Sequence, residues 1–327
     1  MCRTNLDHLQ EGDNSPPKSP VEFNKQVGGH SKFLWIGEGM IGKPKDTREA
    51  EFYKRRPSLL KKYLPRCYGI IEGRQLFQQT FLRDAENAML HQEYMIMENL
   101  TSQFENPCVL DLKMGTRMHG DSATSAKIKS QTKKCLNSTS ASLGVRCCGS
   151  LWFDPQSGKY ERQDKYKGRK YNAQDFEDAL CRFVSDGVTL RADVVLLLIS
   201  QLRGLQKAIS SLDSHRFYGS SLLIVYEGSN FESDFHGNTH SQERLSEGDN
   251  DEEVDNLLAQ GGGGDPQPPQ TNNVIIKMID FAHSTFKGFM DDPIVHSGPD
   301  KGYLRGLETL ISVLENGLKS GPKLKST

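Results

Sequence analysis

The sequence predicts an α+β protein with two lobes around a cleft. The chain has 327 residues, enough for one large domain or for two lobes with a substantial core. Short strand patterns dominate residues 21–100, whereas residues 101–327 combine strand patterns with long amphipathic helix patterns. A polar break at 101–106 separates the two parts. We therefore expect an N-terminal lobe over 21–100 and a C-terminal lobe over 101–327.

In the N-terminal lobe, the residue pattern predicts mostly strands. A helix is expected over 48–55, and a Gly-rich turn separates the first two strands. Residues 1–20 are polar and proline-bearing, so we expect them to be disordered. The predicted strands are 33–35, 40–43, 67–72, 75–80 and 93–97.

The C-terminal lobe begins with residues 107–117, which read PCVLDLKMGTR. Because side chains alternate along a strand, Asp111 and Lys113 share one face while the opposite face is apolar. A charged pair is costly to bury without a partner, so we expect this strand to border a polar cleft. A surface strand with a salt-bridged edge is the alternative interpretation.

The rest of this lobe alternates helices and strands. Asn172 is a good N-cap with Asp175 at N3, and Gly187 fits the C′ position of the same helix. Strands 220–226 and 274–281 form a predicted hairpin, and the acidic, Gly- and Pro-rich residues 229–272 between them are predicted to be a disordered insertion. The remaining predictions are helices at 122–136, 191–212 and 303–316 and a strand at 143–153.

Charge is distributed unevenly along the chain. The formal net charge is −1, yet residues 229–256 hold nine acids and one base, and residues 101–170 hold thirteen Lys or Arg and six Asp or Glu. Such a local positive excess attracts polyanions. Seven cysteines form no disulfide framework or zinc spacing, and no apolar run approaches a membrane span. We expect a reduced, intracellular protein, cytoplasmic or nuclear, that binds neither membrane nor nucleic acid.

Two features of the N-terminal lobe are typical of enzymes that transfer a phosphoryl group from ATP. Lys43 ends a short strand and precedes an acidic helix residue, Glu49 or Glu51. A lysine held by a carboxylate can bind the α- and β-phosphates of ATP. At the junction of the lobes, the Glu98 C=O and the Leu100 N–H are placed to contact an adenine edge.

Two further features lie in the C-terminal lobe. Asp111 can accept hydrogen bonds from ribose hydroxyls, and Lys113 can meet the transferring phosphoryl group. Asp280 follows an apolar strand, and an aspartate in that position is a natural Mg²⁺ ligand, because Mg²⁺ binds few carboxylates together with phosphate oxygens and water. A basic helix face follows the Asp111/Lys113 strand, and i, i+4, i+7 spacing places Lys127, Gln131 and Lys134 on it.

These residues resemble the inositol polyphosphate kinase family. The family's PxxxDxKxG signature stands at 107–115, SSLL at 220–223 and IDF at 279–281, in the expected order. Segments such as LDLKMGTRMHGD and RFYGSSLLIVYEG are similar to the inositol hexakisphosphate kinases within it. The resemblance also includes QVGGHS at 26–31 and REAEFY at 48–53, and the register of REAEFY favours Glu49 as the partner of Lys43.

The resemblance implies a bilobal fold, distantly related to protein kinases, with ATP between the lobes. In the family pattern, Lys43 contacts the ATP phosphates, Glu98 and Leu100 the adenine, and Asp111 the ribose.

For the reacting end of the site, the family pattern places Ser221 and Asp280 beside the phosphates and the metal. Lys113 and Asp280 are the implied catalytic residues, and ATP and Mg²⁺ the implied cofactors. The residues implied to face the inositol phosphate are Lys113, Lys127, Gln131, Lys134 and His283.

The sequence therefore predicts an ATP-dependent kinase that phosphorylates inositol hexakisphosphate to a diphosphoinositol pentakisphosphate. A multikinase or trisphosphate kinase acting on ring hydroxyls is the nearest alternative. From another class, a non-catalytic inositol phosphate-binding scaffold is also consistent with these residues. A nucleic-acid-binding protein is disfavoured, because the basic region lacks interleaved aromatic residues.

Overall fold

The computed structural model describes residues 21–23, 25–28, 32–37, 39–78, 87–229, 274–290 and 292–320. The predictions of disorder at 1–20 and 229–272 lie outside this part of the chain, apart from Ser229. No helix among the described residues is long and apolar enough to cross a bilayer.

The first half of the fold is a five-stranded antiparallel sheet in the order β1-β2-β3-β5-β4. A short 3₁₀ helix at Ser58–Tyr63 follows α1. The strands are β1 Val21–Glu22, β2 Leu34–Gly37, β3 Met40–Pro44, β4 Cys67–Glu72 and β5 Glu93–Glu98, and the helices are α1 Thr47–Arg55, α2 Gly73–Gln78 and α3 Asn87–Leu90.

The second half contains another five-stranded antiparallel sheet, in the order β11-β10-β6-β7-β8, with helices packed against it. Two short strands, β9 and β12, form a separate ladder. The strands are β6 Pro107–Met114, β7 Val145–Asp154, β8 Lys159–Gln163, β9 Arg216–Phe217, β10 Ser221–Glu227, β11 Val274–Ile279 and β12 Ser284–Thr285, and the helices are α4 Ser125–Leu136, α5 Thr139–Leu143, α6 Lys165–Gly168, α7 Ala173–Phe183, α8 Ala192–Ser210 and α9 Lys301–Ser320.

Helix α1 joins the two halves through aromatic packing. Phe52 stacks on Phe281 with ring centroids 4.0 Å apart and contacts Phe217 edge to face. All three side chains are fully or almost fully buried, and burying a Phe side chain stabilises a fold by about 1.5–3 kcal/mol. The helix that follows Lys43 is therefore fixed to the strand end that carries Asp280.

Strand β6 is the central strand of the second sheet, so the interpretation as an exposed surface strand is wrong. Its neighbours are β10 on one side and β7 on the other. Leu110 and Leu112 point into the main core, whereas Asp111 lines the cleft. The prediction that one face is apolar and the other borders a polar cleft is confirmed.

Most predicted elements are present within a few residues of their expected bounds. The capping box of α7 is confirmed, because the Asn172 side chain accepts from Asp175 N and the Asp175 side chain accepts from Asn172 N. Strands β10 and β11 pair antiparallel, as predicted.

Two local predictions are wrong. The strand predicted at 75–80 is wrong over its described part: residues 75–78 belong to helix α2, where Phe77 packs edge to face on Tyr94. Residues 79–80 lie outside the described part of the chain. Gly187 is not at C′, since α7 ends at Phe183 and its C-cap is Val184. Gly187 instead adopts a φ of +94° in the following turn.

Candidate active site

A cleft lies between the two sheets, and residues predicted to bind the nucleotide line it. Lys43 extends from β3, Glu98 and Leu100 lie at the end of β5 and just beyond, and Asp111 extends from β6. The same wall is apolar enough to contact a purine face. Its aliphatic members are Val27, Ile41, Met97, Leu100, Val109, Leu223 and Ile279.

Four charged side chains meet at the inner end of this cleft. Lys43 Nζ donates to Glu49 Oε1 and to Asp280 Oδ1, each at 2.8 Å. Lys113 Nζ donates to Asp280 Oδ2 at 3.3 Å. Glu51 pairs instead with Lys54 at 3.6 Å, so the structure selects Glu49 as the partner of Lys43. Asp280 thus accepts from one lysine of each lobe.

The charges in this cluster stabilise one another. Burial by itself would raise the pKa of Asp280, but Lys43 and Lys113 outweigh it and hold that pKa well below its usual range. Burial likewise tends to lower the pKa of Lys43, and the carboxylates of Asp280 and Glu49 raise it instead. The pKa of Lys113 is also raised, because Asp280 and Asp111 offset its burial. Asp280, Lys43 and Lys113 are therefore charged at neutral pH.

Asp280 leaves β11 in an unusual backbone conformation, with a φ of +66°. Aspartate adopts the left-handed region more readily than most residues, at some cost in strain, and such residues concentrate at functional sites. The following Phe281 is completely buried and anchors the turn. This turn directs the carboxylate into the cleft towards both lysines.

Asp111 is covered by the N-terminal segment of the chain. Its side chain is 4% exposed, and Gly28 packs on it so closely that a Cβ at that position would overlap the carboxylate. Burial raises the pKa of Asp111, and the neighbouring Lys113 partly offsets this increase. Within the described residues, neither Asp111 Oδ1 nor Ser221 Oγ has a hydrogen-bond partner of good geometry. Both buried oxygens therefore retain unused hydrogen-bonding capacity.

The basic helix face lies beside His283. Helix α4 is exposed over most of its length, with Gln131 half-buried and Lys134 exposed. Lys127 Nζ lies 3.2 Å from His283 Nε2. Burial lowers the pKa of His283, and the positive charge of Lys127 lowers it further. The structure thus brings Lys127 and His283 together and aligns Gln131 and Lys134 along the same helix.

Sequence reasoning missed Arg146. This residue lies on β7 directly opposite Lys113, so both side chains share the cleft face of the sheet. The Arg146 side chain is buried and donates to Ser140 Oγ at 2.9 Å, while its Nε has no partner among the described residues. Only the register between β6 and β7 could have indicated this residue, and a bulge at Asp111/Leu112 shifts that register.

Comparison with known proteins shows which family and which solved structures this chain is similar to. A family model described as inositol polyphosphate kinase matches residues 94–315. The fold is similar to a solved structure of inositol phosphate multikinase Ipk2 from S. cerevisiae in complex with ADP and Mn²⁺, with a TM-score of 0.61, 22% identity, and coverage of 86% of this chain and all of that one. A second inositol phosphate multikinase structure gives a TM-score of 0.55 at 19% identity, covering 83% of this chain and 98% of that one. The fold is therefore the bilobal α+β fold of these kinases.

Curated relatives are more similar in sequence. Human inositol hexakisphosphate kinase 1 is 43% identical over 235 residues, which cover 68% of this chain and 52% of that protein. Inositol hexakisphosphate kinase 2 of Oryctolagus cuniculus is 40% identical over 240 residues, covering 72% and 55%. The chain spans about half the length of the curated relatives it matches. It belongs to the inositol polyphosphate kinase family, which confirms the resemblance found in its motifs.

Proposed function

We propose that this protein is an ATP-dependent inositol hexakisphosphate kinase, which transfers the γ-phosphoryl group to a phosphate of inositol hexakisphosphate and yields a diphosphoinositol pentakisphosphate. The observation that carries the proposal is the position of Asp280, which accepts from Lys43 and from Lys113. Lys43 belongs to the nucleotide cleft, and Lys113 belongs to the strand that leads to the basic helix. The two lysines thus connect a nucleotide site with a polyanion site.

In this proposal, each lobe contributes to holding ATP. Glu98 and Leu100 contact the adenine through backbone groups, and the buried oxygens of Asp111 and Ser221 accept or donate hydrogen bonds to the ribose and the phosphates. Lys43, kept in place by Glu49, neutralises charge on the phosphate chain. Support comes from the shared cleft lining of these residues and from the nucleotide named for the similar multikinase structure.

A divalent cation fits the same cluster. No group of three or more His, Cys, Asp or Glu side chains among the described residues could hold a metal ion by itself. A single carboxylate, Asp280, suits Mg²⁺, which commonly binds one or two carboxylates together with substrate phosphates and water. When bound, Mg²⁺ would neutralise charge on the transferring phosphoryl group. The Mn²⁺ named for the multikinase structure supports the use of a divalent ion.

The acceptor would bind against α4, where Lys113, Lys127, Gln131, Lys134 and His283 would face its phosphates. An oxygen of a phosphate group is already ionised near neutral pH, so no general base is needed to activate it. That oxygen forms a new bond to the γ-phosphorus while the bond to the ADP oxygen breaks. The chain then has to align two anions and offset their repulsion, which lysines can do.

Product analysis tests the proposal. Purified protein with ATP, Mg²⁺ and inositol hexakisphosphate should release ADP and form a product that elutes later on anion-exchange chromatography. Lys113→Ala should lower kcat about 10²–10³-fold, the usual effect of removing a group that stabilises transferring charge. Folded protein that binds ATP but forms no such product would refute the proposal.

A kinase acting on ring hydroxyls is the second candidate, supported by the similarity to multikinase structures. Assays across less phosphorylated inositols separate the two, since a preference for a free-hydroxyl acceptor would favour this alternative. For a non-catalytic scaffold, Lys113→Ala and Asp280→Asn variants would retain the full biological effect. We further propose residence in the cytoplasm, the nucleus or both, which imaging of the tagged full chain would test.

A further inference from the structure

Helix α4 has little support of its own. Cys135 is its only buried residue among those described, and eleven of its twelve residues are half-buried or exposed. The N-terminus is capped by Thr124, whose Oγ1 accepts from Lys127 N at 3.3 Å. Near the C-terminus, Cys135 Sγ donates to Thr116 O at 3.0 Å. Both anchors involve the segment 116–124, so this segment determines where the basic face of α4 lies.

The same segment folds around the carboxylate of Asp121. That side chain is 2% exposed, and its Oδ1 accepts from Arg117 Nη2 at 2.6 Å. Its Oδ2 lies 2.7 Å from Nε2 of His296, which belongs to the stretch before α9. Arg117 Nε also donates to His119 O at 3.0 Å, and its guanidinium lies 4.1 Å from the Tyr218 ring centroid. Asp121 therefore ties the loop before α4 to the stretch before α9, and Arg117 links the same loop to Tyr218.

This loop also forms a wall of the His283 site. A Cβ on Gly120 would stand 3.6 Å from His283 Cβ, in van der Waals contact. On the other side, a Cβ on Gly219 would stand 3.5 Å from His283 Cδ2. A displacement of the loop would therefore move both α4 and the backbone that packs on His283.

We infer that Asp121 is a positioning residue for the inositol phosphate site: the buried Asp121 carboxylate, held by Arg117 and His296, orients the basic face of α4 against His283. The inference rests on the proposed function for its substrate. Asp121 itself need not touch the ligand, because its two oxygens are occupied by Arg117 and His296. In Asp121→Asn, one amide oxygen remains as an acceptor, but the new NH₂ group faces the other donor, so one of the two contacts is lost together with the negative charge.

Hydrogen–deuterium exchange of the full chain tests the structural part without any substrate. In Asp121→Asn, amides within 127–136 should exchange at least about tenfold faster, which corresponds to about 1.4 kcal/mol of lost protection. Asp186→Asn is the matched control, because Asp186 closes a remote turn by accepting from Val188 N and Thr189 N at 2.9 and 2.7 Å. Unchanged exchange of α4 in Asp121→Asn would overturn the inference.

Kinetics test the functional part. Asp121→Asn should raise the KM for inositol hexakisphosphate about tenfold, with kcat and the KM for ATP changed less than about twofold. His296→Ala should also raise the KM for inositol hexakisphosphate. The double variant should have a KM no higher than that of the more impaired single variant, because both substitutions remove the same Asp121–His296 contact. An unchanged acceptor KM alongside faster α4 exchange would refute the role in substrate binding. If the wild-type protein phosphorylates no inositol phosphate, the proposed function fails, while the exchange result still decides whether Asp121 positions α4.

Discussion

The contact between Arg48 and Asp292 fixes helix α1 to the C-terminal lobe, and Asp292→Asn tests whether this contact supports nucleotide binding. Arg48 Nη1 and Nη2 donate to Asp292 Oδ1 and Oδ2 at 2.9 and 2.7 Å. Thr285 Oγ1 donates to Oδ2 at 2.5 Å. The next residue on the helix is Glu49, which holds Lys43. Loss of the contact should therefore displace Glu49 and Lys43 at the inner end of the cleft, where the proposed function places the ATP phosphates.

The magnitude follows from what asparagine can replace. One oxygen remains as an acceptor, and Arg48 Nη2 keeps its second acceptor, Ser284 O at 3.0 Å. Thr285 Oγ1 loses its acceptor, and Arg48 loses its counter-charge. A hydrogen bond to a charged group contributes about 1.5–3 kcal/mol. The Arg48 side chain is 27% exposed, so solvent screens the contact. We therefore expect Asp292→Asn to lower the free energy of unfolding by about 2 kcal/mol. For a chain of 327 residues, an unfolding entropy of about 2.1 cal/mol/K per residue converts that cost into a Tm lowered by about 3 °C.

Asp292→Asn should weaken ATP binding without abolishing it. Phe52 retains its stack on Phe281, so α1 remains docked and only its orientation loosens. We expect the KM for ATP to rise roughly 3–10-fold, equivalent to about 0.7–1.4 kcal/mol.

Thermal unfolding tests the predicted decrease in Tm, and initial rates at varied ATP concentration, measured on the same preparations, test the predicted increase in the KM for ATP. The matched control is Asp193→Asn, which breaks a similar bidentate pair with Arg191 at 3.0 and 2.7 Å. Asp193 is 59% exposed, so its loss should cost less than about 1 kcal/mol and leave the KM for ATP unchanged. If Asp292→Asn is no more destabilising than this control, or lowers Tm without raising the KM, the reasoning about α1 is wrong.

Two other substitutions give sharp outcomes. Gly28→Ala should weaken nucleotide binding at least about tenfold, because the added methyl overlaps the Asp111 carboxylate. Fluorescent-nucleotide titration measures the affinity. An affinity equal to that of the wild type would contradict this prediction and show that the segment around Gly28 shifts without cost to binding. His283 has a lowered pKa, so it is neutral at pH 7.5 and gains a proton only as pH falls. Bound phosphates favour that proton, so the KM ratio of His283→Gln to wild type should increase between pH 7.5 and 5.5, and a constant ratio would contradict protonation at this site.

Much of the fold could be predicted from the sequence, because caps, helix faces and strand alternation are determined by residues close together in the chain. The capping box at Asn172 and Asp175 and the apolar stripe of α7 are set within a few residues of chain. The same holds for β6, whose alternating pattern predicted which residues lie in the core and which face the cleft. The strand predicted at 75–80 is wrong over 75–78, because six residues are too few to separate a period of 2 from one of 3.6.

Contacts between segments that are far apart in the chain could not be predicted from local sequence patterns. Asp121 and His296 are 175 residues apart, and nothing in either local sequence indicates that they meet. The pairing of Arg48 with Asp292 across 244 residues is of the same kind. Motif resemblance led to the residues of the charged cluster, but the contacts that hold those residues in place come from tertiary packing.

The central position of β6 explains why the cleft tolerates so many buried charges. An edge strand would expose Asp111 and Lys113 to water, where an ion pair contributes at most about 1 kcal/mol and holds no fixed geometry. Between β10 and β7, the same side chains are shielded, and each depends on partners from other strands. Lys113 finds Asp280 at the end of β11, and Arg146 lies beside it on β7. Three basic side chains, Lys43, Lys113 and Arg146, thus lie near the acidic side chains of Asp111, Asp280 and Glu49, so basic and acidic groups offset one another before any ligand arrives. A bound polyphosphate would add negative charge that these cations alone cannot offset, and the divalent ion and the basic face of α4 would supply the remainder.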